Sequence, residues 1–348
     1  MIPDRAHILT EQRNPRTTHL HELDVAGLVA AIQAEDAAVP AAMAAAGASL
    51  AGLIAAIEPG FLAGGRLIYL GAGTSGRLGV LDASEVGPTF QIPPGRVIGL
   101  IAGGDRSLRH SSEGREDDPE GAVAELEALH LSPDDAVVGI AAGGTTPYVL
   151  GALEWTFKHR HQRQHGHGQQ LHGHHAQGQQ HASTTSSTAA ISARLRATQP
   201  SAQPPRSGPL TGLISCAPMD RPAFADHLVV LAVGAEVLTG STRMKAGTAT
   251  KLALNTISTA LMVRAGKVYG NLMVDLRASN LKLRDRAARI VGLLTGEPRE
   301  ACFALLDQAG ESVKTAVVMQ RLGCDRARAE AILAACGGHL DQALAQQG

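Results

Sequence analysis

Five short apolar runs lie between residues 67 and 232, and helical segments separate them. Each run is rich in Val, Ile, Leu or Ala, which is typical of a strand that is covered on both faces. Strands that alternate with helices favour a parallel sheet with helices on both sides. The pattern therefore predicts an α/β fold, a three-layer α-β-α sandwich. The runs are residues 67–70, 97–102, 136–142, 210–216 and 227–232.

Residues 1–296 carry this pattern and predict one large domain, which residues 158–209 interrupt with a low-complexity segment. The segment is rich in His, Gln, Ser, Thr and Pro, and eight of the 15 histidines fall between His159 and His181. It has too few apolar side chains to offset the entropy of ordering it. We predict a disordered insertion, and metal binding through the histidines is the alternative.

Residues 297–348 predict a small C-terminal helical module, because apolar clusters alternate there with glycines. Within it, residues 321–344 resemble a ubiquitin-associated (UBA-like) helical module, a resemblance that implies nothing about ubiquitin.

The charge balance and the cysteines exclude several classes of protein. The chain has 31 Lys+Arg against 32 Asp+Glu, so no basic field attracts nucleic acid or anionic lipid. The four cysteines lack C-x-x-C spacing and are interpreted as free thiols in a reducing compartment. The polar N-terminus has no signal-peptide core, and no uninterrupted apolar run has membrane-spanning length. We expect a cytoplasmic protein that binds neither nucleic acid nor membrane.

A glycine-rich loop, residues 71–77, joins the first apolar run to a helical segment. Gly73 lets the backbone approach an anion, Thr74 and Ser75 offer hydroxyls, and the helix start offers N–H groups. The loop fits G-x-G-x-x-G, but residues 93–96 lack the acid that a dinucleotide site needs about 20 positions later. A sugar phosphate fits the loop best; a dinucleotide and a purely structural turn are the alternatives.

A second loop, residues 141–147, repeats the combination of glycines and hydroxyls. Gly144, Thr145 and Thr146 are its candidate binding residues, and Pro147 suits the first turn of a helix. Ligands of open α/β sheets bind at the carboxyl ends of strands, so two such loops predict one phosphate site. Two unrelated capping turns are the alternative.

A third segment, residues 240–248, precedes a long helix. Ser241 or Thr242 is predicted to cap that helix, and Arg243 and Lys245 place cations nearby. The segment is interpreted either as a wall of the sugar site or as a capped helix with a solvated basic face.

Two carboxylates are candidate acid–base groups. Glu85 lies among apolar residues of the helical segment after the first loop, and Glu116 lies in an acidic loop after the second strand. Two carboxylates that flank a sugar can divide acid and base work when their environments differ. A solvated polar loop is the simpler interpretation of Glu116.

Five short runs carry a family resemblance: residues 71–79 (GAGTSGRLG), 82–85 (DASE), 234–237 (GAEV), 240–248 (GSTRMKAGT) and 270–275 (GNLMVD). They closely resemble the corresponding runs of the N-acetylmuramic acid 6-phosphate etherases of the sugar-isomerase (SIS) superfamily. The resemblance implies an SIS fold and a lyase that works without cofactor or metal. It also implies a homodimer in cell-wall recycling that converts this amino-sugar phosphate and water into N-acetylglucosamine 6-phosphate and D-lactate.

The resemblance gives the family's proton donor as Glu85 and its second active-site carboxylate as Glu116, with phosphate contacts on the two hydroxyl loops. The sequence departs from the family at two places. Gly143 stands where the superfamily usually has a serine, and residues 86–87 replace a usual Cys-Pro. Neither departure touches the carboxylates.

The distance between Glu85 and the first loop sets a constraint. If the helix begins near Ser75, Glu85 lies ten residues on, about 15 Å along the axis. Pro88 predicts that the helix ends near Gly87. Either the helix breaks early, or Glu85 reaches a site shared between two subunits; the shared site is the favoured interpretation. A non-catalytic sugar-phosphate regulator and an aldose–ketose isomerase are the alternative functions, and the presence of both carboxylates favours catalysis.

Overall fold

The computed structural model describes residues 6–166, 207–276 and 281–347, and its centre is a parallel five-stranded sheet. The strand order is β2-β1-β3-β4-β5, with Leu67 opposite both Val97 and Ala136. All five predicted strands are confirmed, with ends that differ by at most two residues. They are β1 (Leu67–Gly71), β2 (Val97–Ile101), β3 (Ala136–Ile140), β4 (Leu210–Ser215) and β5 (His227–Val230).

Helices cover both faces of the sheet, which confirms the three-layer sandwich. Alternation along β1 divides its side chains: Leu67 and Tyr69 join one core, and Ile68 and Leu70 join the other. The first core is closed by α3 (Gly47–Leu62), α4 (Gly73–Phe90) and α7 (Lys245–Arg264), and the second by α5 (Val123–Ala128) and α6 (Pro147–Gly166).

The helical N-terminal region consists of α1 (Val25–Asp36) and α2 (Val39–Ala45), followed by α3. In the described part of the chain, residues 25–45 have the length and mean hydropathy (1.3) of a membrane span, although no such run was expected from the sequence. A turn at Ala37 and Ala38 divides the stretch, and its Glu35 forms a buried ion pair with Lys245 of α7. This pairing ties the stretch to the core of the protein.

The first part of the low-complexity segment is helical, because α6 continues to Gly166. Residues 158–166 are therefore helical rather than part of the insertion. Residues 167–206, which carry most of the predicted disordered insertion, lie outside the described residues.

The C-terminal helices share a separate core. The two-stranded pair β6 (Val268–Tyr269) and β7 (Leu272–Met273) leads into α8 (Leu281–Thr295), which contributes Ala287 and Val291 to that core. The helical unit therefore begins before residue 297, the boundary that the sequence suggested. Its other helices are α9 (Arg299–Gln308), α10 (Val313–Leu322), α11 (Arg326–Ala335) and α12 (Leu340–Leu344).

Candidate active site

The order of the strands places the candidate site. Strands β1 and β3 are neighbours in the sheet; from β1 the chain continues to β2 at one edge, and from β3 it continues towards β5 at the other edge. Open α/β sheets bind ligands in the crevice at such a reversal of strand order. The first loop leaves the carboxyl end of β1, and the second leaves that of β3. Both predicted phosphate loops therefore border the same crevice.

The first loop forms the start of α4. Gly73 has a φ of 51°, which favours glycine, and no side chain caps this end of the helix. Thr74 and Ser75 are half-buried in the first turn. The uncapped N-terminus of an 18-residue helix with two adjacent hydroxyls is suited to a phosphate.

The second loop is shaped by Gly144. This residue is buried, has a φ of 73° and donates its N–H to the carbonyl oxygen of Ala141 at 2.9 Å. A Cβ at this position would lie 2.4 Å from Sδ of Met219. Gly144 therefore sets the turn rather than offering an open surface, whereas Thr145 is exposed and Thr146 is half-buried.

The third segment contacts the first loop, but its helix is not capped as predicted. A Cβ at Gly247 would lie 3.3 Å from Cγ2 of Thr74, so the two segments touch. Helix α7 begins after Met244 without a side-chain cap from Ser241 or Thr242. Instead, the fully buried carboxylate of Glu236, more distant in sequence, accepts from the N–H groups of residues 245 and 246 at 3.1 and 2.9 Å.

Lys245 does not face the crevice. Its side chain is 0% exposed, and its Nζ lies 2.7 Å from Oε2 of Glu35 and 2.7 Å from the carbonyl oxygen of Ala235. Arg16 also binds Glu35, through Nε at 2.6 Å. The hydrogen bond from Arg16, supported by Lys245, lowers the pKa of Glu35 from 4.5 to about 2. Lys245 is thus part of a buried ion-pair network and not a sugar contact.

The N-terminal segment adds a wall that the sequence did not predict. Asn14 Nδ2 donates to the carbonyl oxygen of Ala235 at 3.2 Å, and Thr17 Oγ1 donates to that of Val237 at 2.8 Å. A Cβ at Gly143 would lie 3.7 Å from Oγ1 of Thr10. The contacts that hold this polar segment cross more than 200 residues of sequence, beyond the reach of any local pattern.

Glu116 lies beside the second loop. Its carbonyl oxygen accepts from the N–H of Tyr148, in the first turn of α6, at 3.0 Å. The following backbone packs closely on the same helix, because a Cβ at Gly151 would lie 2.0 Å from the carbonyl oxygen of Pro119. The Glu116 side chain is exposed, and its backbone is bound to the helix that the second loop precedes.

Glu85 lies away from its own first loop. Helix α4 has no break before Glu85 and ends at Phe90, close to Pro88. Ten residues of this helix separate Ser75 from Glu85, about 15 Å. The Glu85 side chain is exposed, so within one chain it lacks the apolar surroundings that the sequence led us to expect.

A cavity of about 270 Å³ lies elsewhere, beside the amino ends of β3 and β4. Its lining includes Leu131, Trp155 and Pro209, and it contains no residue of the three segments described above. Within residues 6–166, 207–276 and 281–347, no group of three or more His, Cys, Asp or Glu side chains could hold a metal ion. Most of the histidine-rich segment lies outside these ranges.

The parallel five-stranded sheet, with helices on both faces and loops at the carboxyl ends of β1 and β3, defines an α/β protein of the sugar-isomerase type. Residues 49–157 match the family model of the glucokinase regulatory protein N-terminal SIS domain. The solved structure of the protein c3406 from E. coli CFT073 covers 72% of this chain and 97% of its own, with a TM-score of 0.41 and 13% identity.

Three bacterial relatives, each named N-acetylmuramic acid 6-phosphate etherase, match almost the whole chain. The relative from Gloeobacter violaceus is 44% identical over 99% of this chain and 97% of its own. The one from Rubrobacter xylanophilus is 44% identical over 94% and 93%, and the one from Deinococcus radiodurans is 42% identical over 97% and 95%. The chain belongs to the N-acetylmuramic acid 6-phosphate etherase family.

Proposed function

We propose that the protein is a carbon–oxygen lyase that cleaves the lactyl ether of N-acetylmuramic acid 6-phosphate with water. The products are N-acetylglucosamine 6-phosphate and D-lactate, and the context is cell-wall recycling. The observation that carries the proposal is the 44% identity to a named etherase over 99% of the chain. The two hydroxyl loops at one crevice support a ligand with a single phosphate group.

The chemistry is an elimination followed by a hydration. In the open-chain sugar, the C1 aldehyde acidifies the C2 proton, and a base removes that proton. The C3–O bond then breaks, and the lactyl oxygen leaves with a proton from an acid. Water adds to C3 of the unsaturated aldehyde, and C2 regains a proton. The lactate keeps the ether oxygen, and the sugar gains the oxygen of water.

In this proposal Glu85 is the proton donor and Glu116 is the second carboxylate. The phosphate lies against Gly73, Thr74 and Ser75. The second loop, together with Ser241 and Thr242, completes the phosphate-binding site. Glu116 and the loops come from one chain, because its backbone is bound to the start of α6. Glu85 comes from the partner chain, because about 15 Å of α4 separate it from Ser75 in its own chain.

The proposed homodimer would bring α4 of one chain to the crevice of the other. Leu81, one turn before Glu85, is 38% exposed, and Leu252 on the neighbouring helix α7 is 41% exposed. Apolar side chains on two packed helices support a protein contact at this face. We place the dimer in the cytoplasm, with the α-β-α sandwich as the sugar-phosphate domain and the helices from α8 onward as an appended module.

Incubating the purified protein with N-acetylmuramic acid 6-phosphate in H₂¹⁸O tests the proposed function. D-lactate should form without the label, and the label should appear in N-acetylglucosamine 6-phosphate. A non-catalytic regulator would bind a sugar phosphate without releasing lactate, and an isomerase would convert an aldose phosphate into a ketose phosphate. Either result would contradict the etherase proposal.

Ser75→Ala should raise KM by about 10-fold or more and change kcat far less. The hydroxyl is placed at the phosphate, away from the breaking bond, and a hydrogen bond to a charged group is worth about 1.5–3 kcal/mol. Steady-state kinetics with the amino-sugar phosphate measure both constants. Ser207→Ala, an exposed serine near the amino end of β4 and so at the opposite edge of the sheet, is the control. An unchanged KM would remove Ser75 from the phosphate site.

A further inference from the structure

Arg77 holds the segment that carries the second carboxylate, residues 102–116, which we name the carboxylate loop. Its Nε donates to the carbonyl oxygen of Leu108 at 3.2 Å, and its Nη2 donates to that of His110 at 3.5 Å. Arg77 is half-buried at the end of the first loop, in the second turn of α4. One side chain therefore joins the helix of the first loop to the middle of the carboxylate loop.

The carboxylate loop is also tied to the sheet and to α6. At its start, Oγ of Ser112 donates to the carbonyl oxygen of Ala102 at 3.4 Å. At its end, the carbonyl oxygen of Glu116 accepts from the N–H of Tyr148 at 3.0 Å. Ordering the chain between these two anchors costs conformational entropy. The guanidinium group adds a third anchor, in the middle of the loop, and so offsets part of that cost.

Two short 3₁₀ helices connect the middle anchor to the carboxylate. The first, Asp105–Leu108, ends at the middle anchor, and the second, Glu113–Arg115, ends next to Glu116. The N–H of Arg115 donates to the carbonyl oxygen of Ser112 at 3.0 Å, which closes the second helix. A shift at the middle anchor is therefore expected to displace Glu116, and a displacement of about 1 Å can lower a rate by about 10²-fold.

We infer that Arg77 is a positioning residue for Glu116: its two hydrogen bonds to the carboxylate loop hold this carboxylate where it can exchange a proton with the sugar. The inference rests on the proposed function, because Glu116 has its task only in the proposed elimination and hydration. Arg77 itself touches neither the sugar nor the reacting atoms. Its removal should therefore slow the reaction more than it weakens substrate binding.

Arg77→Met tests this role, because methionine keeps an unbranched side chain and removes the donors. The kcat of lactate release should fall by about 10- to 100-fold, while KM should change by less than about 3-fold. Trypsin should cleave the carboxylate loop about 10-fold faster, because the loop opens more often. The cleavage sites are the exposed Arg106, Arg109 and Arg115. Arg77→Lys keeps the charge without the two-point geometry, so its kcat should lie between those of Arg77→Met and wild type.

Arg96→Met is the matched control. Arg96 also donates to two carbonyl oxygens, that of Gly65 at 3.1 Å and that of Phe61 at 2.5 Å. It directly precedes β2 and so lies at the edge of the sheet opposite the crevice. This variant should lower the melting temperature and keep the wild-type kcat. If Arg77→Met does not fold, Arg77→Lys and Arg96→Lys make the same comparison, with only the former losing kcat.

A double variant shows whether Arg77 acts through Glu116. In the Glu116→Gln background, Arg77→Met should lower kcat by less than about 3-fold, because the position of the loop matters only for a working carboxylate. Equal losses in both backgrounds would show that Arg77 acts independently of Glu116, and the inference would be wrong.

The outcomes separate this inference from the proposed function. If wild type releases lactate and Arg77→Met keeps its kcat, or raises KM in place of lowering kcat, Arg77 does not position Glu116 and the inference fails alone. If wild type releases no lactate, the proposed function fails and the inference fails with it. A lower kcat at nearly constant KM, faster cleavage of the carboxylate loop and little further loss in Glu116→Gln together support the inference.

Discussion

Replacing Glu85 by Gln is expected to lower kcat by about 10²- to 10⁴-fold and to leave the fold intact. The amide has nearly the same shape as the carboxyl group but cannot exchange a proton in the same way. The side chain is exposed in a single chain, so its replacement should not disturb the core. Lactate release measures kcat, and circular dichroism and thermal melting check the fold.

The control for this variant is Glu300→Gln, an exposed glutamate on α9. It removes one carboxylate of the same type from the C-terminal module and should keep wild-type turnover. If Glu85→Gln also retained wild-type turnover, Glu85 would have no part in proton transfer. Glu116→Gln should show a loss comparable to that of Glu85→Gln, because the mechanism uses both groups.

Replacing Glu35 by Gln is expected to lower the free energy of unfolding by about 3–5 kcal/mol. The substitution removes the countercharge of Lys245, whose ammonium group is 0% exposed and lies 2.7 Å from the Glu35 carboxylate. Breaking a buried ion pair leaves an uncompensated charge in the interior. Denaturant unfolding of the variant and of wild type measures the difference.

Two variants show whether burial causes this effect. Glu58→Gln breaks a 2.7 Å ion pair with Arg264, whose side chain is 60% exposed, and should cost less than about 1 kcal/mol. The double variant Glu35→Leu/Lys245→Met should be more stable than Glu35→Leu alone, because no unpaired charge is left inside. Equal losses for Glu35→Gln and Glu58→Gln would contradict the role of the buried network.

The same carboxylate makes part of the stability depend on pH. Its pKa falls from 4.5 unfolded to about 2 folded, chiefly through the hydrogen bond from Arg16. A lowered pKa means that the unfolded chain binds more protons between these values, so the stabilisation present above pH 4.5 is lost as pH falls towards 2. This contribution to the free energy of unfolding amounts to roughly 3 kcal/mol. The difference in the free energy of unfolding between wild type and Glu35→Gln should therefore become smaller as pH falls through this range.

The fold was predictable because each strand is a short apolar run that can be recognised in the sequence itself. The alternating burial of β1, with Leu67 and Tyr69 on one face and Ile68 and Leu70 on the other, follows directly from strand geometry. The positions of the two hydroxyl loops, at the carboxyl ends of β1 and β3, were predictable for the same reason, because each loop directly follows an apolar run. Local chemistry was sufficient for both.

The rest of the site depends on contacts between distant parts of the chain. Lys245 was expected either at the sugar site or on a solvated basic face. Its partner Glu35 lies 210 residues earlier, so only the folded chain shows that the cation is buried. The cap of α7 was expected from Ser241 or Thr242 and comes from Glu236 instead.

The central claim is that Glu85 of one chain completes the site formed by Glu116 and the loops of the other. Glu85→Gln and Glu116→Gln, each almost inactive alone, can be mixed and allowed to exchange subunits. In a shared-site dimer, each mixed dimer has one intact site and one site without either carboxylate, so the mixture should recover about a quarter of wild-type lactate release. If both carboxylates act in the same chain, every site lacks one of them, and activity in the mixture would stay at the level of the separate variants.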